Sequence, residues 1–127
     1  MTLVRVVPAG DRIDRLAFSD EAEYREHAVQ LGAYCCPRCG WRVEFRARHF
    51  RKHEEAKRSN LDPEWRGRFD AVRPMELSRW ESFLDFHCPG CKAPVRIIYE
   101  PGSEYAMGAH PWRLLEVLEA AEWPQAG

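Results

Sequence analysis

Five cysteines in 127 residues are the side chains with the most chemistry to offer, and four of them fall in two matched turns. Cys36-Pro37-Arg38-Cys39-Gly40 and Cys88-Pro89-Gly90-Cys91-Lys92 each leave two residues between the sulfurs. That spacing lets both thiolates of a turn face one ion. The proline restricts the turn, and the position after the second cysteine needs a permissive backbone, which Gly40 supplies. Four sulfurs from two turns match tetrahedral zinc, which binds thiolate at about 2.3 Å. One structural Zn²⁺ on Cys36, Cys39, Cys88 and Cys91 is therefore the expected cofactor. Redox CxxC pairs sit where a strand of a βαβ unit meets a helix start, and neither pair has that context. Cys35 is expected to be a small buried apolar residue, because it must displace Cys36 to reach the same ion.

The elements that must hold these turns show in the flanking periodicity. Trp41, Val43 and Phe45 alternate with Arg42, Glu44 and Arg46 after the first turn, and Val95, Ile97 and Tyr99 alternate after the second. Period two is that of a half-buried strand. A knuckle followed by a strand, twice over, resembles the zinc-ribbon group of folds, in which two knuckles clamp one structural zinc between short hairpins. The resemblance covers the knuckles and their flanking strands only. Ribbon pairs are typically separated by roughly 15–20 residues, whereas 48 residues lie between Cys39 and Cys88. Residues of about 46–82 thus form a long insertion between the knuckles.

Outside the knuckles, Leu3 to Val7 is an apolar run ended by Pro8-Ala9-Gly10-Asp11, a strand and turn. Ser19 caps an expected helix that Gly32 stops. Arg46 to Ser59 is polar, an exposed helix or an arm, and Pro63, Gly67 and Pro74 make 60–74 irregular. Phe83 to His87 leads into the second knuckle. Pro111 suits a first helical position, with Leu114, Leu115, Leu118 and Ala121 along one face and Glu116, Glu119 and Glu122 along a wet one. The expected fold is a single α+β domain over residues 1–127. It has a small zinc-ribbon-like core, the long insertion, and flanking N- and C-terminal helices.

Composition narrows the function. A 45% hydrophobic content with 15 aromatics excludes wholesale disorder. No window approaches the ~18–20 apolar residues of a membrane span. The first residues lack the apolar stretch of a secretory signal, so a cytoplasmic location with reduced thiols is expected. The net charge of −1 hides a pattern: residues 1–34 carry −2, residues 35–73 carry +5, and residues 74–127 carry −4. Arg42, Arg46, Arg48, Arg51, Lys52, Lys57 and Arg58 crowd the middle, with Trp41 and Phe50 close by. Basic charge interleaved with aromatics is how single-stranded nucleic acid is held, which makes the 42–58 segment an alternative nucleic-acid site. Three glutamates in that segment and acidic flanks favour a protein partner instead. Candidate partner contacts are Arg46, Arg48, Arg51, Lys52, Trp65 and Trp80.

Competing zinc chemistries fit less well. His49 and His53 approach a zinc finger with the first knuckle, but nine residues intervene where such fingers have twelve, and the second knuckle is left without partners. His53-Glu54-Glu55 upstream of Cys88-x2-Cys91 resembles the His-x-Glu and Cys-x2-Cys of zinc deaminases, which use the Glu to shuttle protons. Here His87 precedes Cys88 in place of proline, and two complete knuckles describe a closed site, not one with an open position. No His-Glu-x-x-His, Gly-rich phosphate loop or serine elbow is present. The expectation is a small non-enzymatic zinc protein that binds a macromolecule, foremost another protein, as an adaptor, a regulator or a toxin-neutralising immunity protein. A deaminase-like enzyme is the remote alternative.

Overall fold

Short runs rich in Val, Ile, Phe and Tyr, broken by Pro and Gly, favour strands. The computed structural model describes residues 3–18, 32–46, 49–50, 59–102 and 111–123, and within these it forms seven strands and one complete α-helix. The strands are β1 (Val4–Pro8), β2 (Ala17–Phe18), β3 (Gly32–Cys35), β4 (Arg42–Phe45), β5 (Ser82–His87), β6 (Pro94–Glu100) and β7 (Trp112–Ala120). The helix α1 spans Pro63–Val72. An antiparallel sheet runs β1-β7-β6-β5, with β2 also paired to β7, while β3 and β4 form a separate hairpin. Among the described residues no helix is long and apolar enough to cross a membrane.

This architecture is mostly β with one helix, which is loosely compatible with the expected α+β class. Among the described residues it overturns the expected flanking helix at the C-terminal side. The expected C-terminal helix is β7, the central strand of the larger sheet. A bulge explains the misleading pattern. Ile98 pairs with Glu116 but Tyr99 pairs with Leu114, so Leu115 is an extra residue on β7. Before the bulge Trp112 and Leu114 face one core, and after it Val117 does, while Leu118 and Ala120 face the other. A strand apolar on both faces, with one phase slip, imitates helical spacing. The expected N-terminal helix lies outside the described residues, except that Gly32 opens β3 instead of stopping a helix.

The larger sheet buries both faces. Val95, Ile97 and Tyr99 of β6 pack with Tyr34, Phe45 and Phe50 on the hairpin side, whereas Ile98 packs with Trp65 and Phe69 of α1 on the other. The 60–74 stretch, expected to be irregular, is where α1 forms. Asp62 caps it by accepting the Trp65 backbone N–H at 3.0 Å, and Pro63 occupies the first turn. Trp65 and Phe69, four residues apart, bury the same face. Gly67 interrupts nothing there.

Glu119, expected on a wet helical face, is 1% exposed. It lies under the hairpin, accepting hydrogen bonds from Arg12 Nε at 2.8 Å, Arg5 Nη2 at 3.2 Å and the Tyr34 hydroxyl. Burial alone pushes its carboxyl upward, but the bonds from Arg12 and Tyr34 and the charges of Arg12 and Arg5 outweigh it and hold the group below its ordinary range. A depressed carboxylate contributes stability that is present above its unfolded value, about 4.3, and lost as pH falls through the folded value. Glu119→Gln is expected to cost about 2–3 kcal/mol at neutral pH. Its stability should also fall less steeply below about pH 4 than that of the parent. Urea titrations at several acid pH values check both.

Candidate metal centre

The hairpin β3-β4 carries the first knuckle at its turn, and β5-β6 carries the second. Their backbones follow one pattern. Gly40 N–H donates to Cys36 O at 3.0 Å and Cys36 N–H to Trp41 O at 3.0 Å; Lys92 N–H donates to Cys88 O at 2.7 Å and Cys88 N–H to Ala93 O at 2.9 Å. Gly40 has φ +74° and Lys92 has φ +66°, so the residue after each second cysteine is left-handed. The first knuckle meets that demand with glycine, and the second holds a lysine there at a cost of about 1–2 kcal/mol.

The two turns bring the four expected ligands together. The sulfurs of Cys36, Cys39, Cys88 and Cys91 all lie within 4.8 Å of one another. Cys36 Sγ is 3.8 Å from Cys91 Sγ, and Cys39 Sγ is 3.5 Å from Cys88 Sγ. Sulfurs placed tetrahedrally at about 2.3 Å from a centre are about 3.8 Å apart. The cluster therefore fits a thiolate-bound metal ion. No disulfide links these thiols. Cys36, Cys88 and Cys91 are buried, and Cys39 is the exposed corner.

The surroundings prepare these sulfurs unequally. Burial pushes the Cys36 thiol up to about 12, although the amides of Cys39 and Arg38 donate to it. Burial likewise raises Cys88. The Trp41 backbone N–H pulls Cys39 down to about 7. A bound dication removes thiol protons outright, so it would offset the upward push of burial on Cys36 and Cys88.

Gly90 belongs to the same cradle. A Cβ at Gly90 would lie 2.7 Å from Cys39 Sγ and 3.3 Å from Cβ and Cε3 of Trp41. Gly90→Ala must therefore push a ligand aside, and it is expected to weaken metal affinity by about 10-fold or more. Competition with a chromogenic chelator measures this. Gly67→Ala, whose Cβ meets nothing within 4 Å, is the control and should leave affinity unchanged.

Arg48, Arg51 and Lys52 of the basic segment lie outside the described residues, as do His53, Glu54 and Glu55 of the deaminase alternative. Arg46 donates its backbone N–H to His49 Nδ1 at 2.8 Å. Arg42 pairs with Asp14 at 3.0 Å and with Glu44 at 3.6 Å. Of the two aromatics named for the nucleic-acid alternative, Phe50 is fully buried against Phe45 and Tyr99, whereas Trp41 is 51% exposed. Trp65 is buried in the helix–sheet core, whereas Trp80 is 82% exposed. Cys35, expected inside, is exposed. Sequence reasoning missed Trp123 as a support of the site: its indole N–H donates to Cys91 O at 2.9 Å. Nothing in its sequence neighbourhood pointed to a cysteine 32 residues away.

The arrangement is consistent with a zinc-knuckle-like site. No protein-family model matches the chain, and neither a curated protein nor a solved structure matches it.

Proposed function

We propose that this is a small structural-zinc protein whose four-cysteine centre clamps the β3-β4 hairpin to the five-stranded sheet, and whose work is to bind another protein without catalysis. The observation that carries the zinc assignment is the convergence of four thiols from two separate sheets within 4.8 Å. An all-sulfur donor set selects zinc or iron among common ions, and tetrahedral geometry suits both. Four thiolates fill the coordination sphere, which leaves no position for a catalytic water. That supports a binding role over the deaminase alternative. Trp80, presented to solvent, supports a protein partner, because Trp is enriched at binding hot spots. Burial of Phe50 and the pairing of Arg42 with Asp14 weigh against nucleic acid on the described part of the basic segment. An adaptor, regulator or immunity role would all employ such a surface.

Native mass spectrometry of protein purified without added metal tests the metal. One zinc per chain is expected, and an iron-containing or metal-free chain refutes the assignment. A pull-down with and without nuclease tests the partner: capture that survives nuclease supports a protein, and capture abolished by it supports nucleic acid.

A further inference from the structure

Trp80 is an unfavourable residue twice over. It stands at φ +59°, where a side chain is strained, and it is 82% exposed. The turn that imposes this is firmly built. The Glu81 carboxylate folds inward, accepting the Glu76 backbone N–H at 2.9 Å and two bonds from Arg73 at 2.8 and 3.0 Å. Glu81 N–H and Arg79 N–H both reach Glu76 O. Arg73 bonds Glu116 of β7 as well, at 2.8 Å, so the turn is tied to the sheet. With Glu81 drawn in, Trp80 is thrown out on a rigid mount beside the exposed Arg79. A rigid aromatic loses little conformational freedom on docking.

The same chain carries a matching receptor. A groove of about 740 Å³ is lined by Leu3, Glu64, Trp65, Arg68, Glu122 and Trp123. Its floor is aromatic, with the Trp65 and Trp123 rings 5.8 Å apart and edge to face. Arg68 already lies over the Trp65 ring, 4.7 Å from its centroid, and pairs with Glu64. The two glutamates and one arginine leave the rim net negative, complementary to Arg79. Strand register places knob and groove apart. Ser82 pairs with Tyr99 and Tyr99 with Leu114, whereas Trp123 follows the other end of β7 and bonds the second knuckle. Arg79 and Trp80 therefore lie away from the groove of their own chain.

We infer that the Arg79-Trp80 knob of one copy docks into the Trp65–Trp123 groove of a second copy of this chain, giving self-association that depends on concentration. It rests on the protein-binding reading above, which also uses Trp80, and it adjoins the metal centre through the Trp123 bond to Cys91 O. Sedimentation velocity on the zinc-loaded full chain, from micromolar to millimolar, tests it. The wild type should associate, and Trp80→Ala and Glu122→Lys should each weaken association, the first by about thirtyfold as for an interface hot spot. Mixing the two variants is the decisive arm. Trp80→Ala retains the groove and Glu122→Lys retains the knob, so the mixture should re-form one-to-one pairs that neither makes alone. A wild type that stays monomeric at millimolar concentration, association unaltered by Trp80→Ala, or a mixture that fails to pair overturns it. A monomeric wild type that needs Trp80 to bind a different protein assigns the knob to that partner instead.

Discussion

With the proposed zinc on the four cysteines, removing it is expected to unfold the knuckle end of this protein, with the largest effect of any single perturbation. Apparent zinc affinities of structural thiolate sites correspond to about 10–16 kcal/mol, and that binding energy is folding energy when the site does not exist in the unfolded chain. A domain's whole stability is about 5–15 kcal/mol. The metal-free chain therefore retains little folded population at the hairpin. Other ties exist: Cys35 N–H donates to Arg12 O at 2.9 Å, Ala33 N–H to Asp14 Oδ1 at 2.9 Å, and Arg38 to Ala120 O. Each is worth about 1 kcal/mol net, and burial of Tyr34 and Phe45 against β6 adds about 1.5–3 kcal/mol apiece, together less than the ion supplies. Chelation or Cys88→Ser should abolish amide-exchange protection over Gly32–Phe45 and lower the melting temperature by tens of degrees. Metal affinity should also fall as pH falls, because protons compete for the sulfurs and Cys36 holds its proton tightly. Protection unchanged after complete metal removal would show the site to be dispensable for folding.

Arg96→Met is expected to destabilise the protein by about 3–5 kcal/mol. Arg96 and Asp85 are both fully buried, joined by two bonds of 2.8 and 3.0 Å. The guanidinium also bonds Asp70 of α1 and lies 4.2 Å from the Phe83 ring centroid and 5.7 Å from that of Phe69. It thereby joins α1 to β5 and β6. Truncating it takes the guanidinium away from the buried Asp85 carboxylate, to which Ser59 still donates. Replacing both partners with apolar residues, as in Arg96→Met with Asp85→Leu, should recover most of the loss, since the desolvation penalty disappears with the charges. Chemical denaturation of the single and double variants measures the coupling. Equal stabilities for Arg96→Met and the parent would refute a structural role for the pair.

These two expectations differ in how far the sequence announced them. The four clustered thiols were legible residue by residue, because CxxC spacing is a local constraint and Gly40 meets a backbone demand of the turn itself. The strand β4 was legible for the same reason, since Val43 and Phe45 face inward while Arg42 and Glu44 face solvent. Arg96 was not. Alternation in β6 assigns it to a wet face, but α1 covers that face and supplies Asp70. Glu119 misled in the same way, because the hairpin with Tyr34 closes over it.

What the sequence by itself determined was the spacing of the four thiols, the strand that follows each knuckle and the 48 residues between them. Those are short-range matters of spacing, turn residues and period. Only the tertiary structure decided that the last apolar segment is a central strand, that α1 and the hairpin cover opposite faces of one sheet, and which charges lie inside. The physical reason is that a strand buried on both faces, with a bulge at Leu115, carries no period of its own. Its conformation is chosen by the neighbours that bury it.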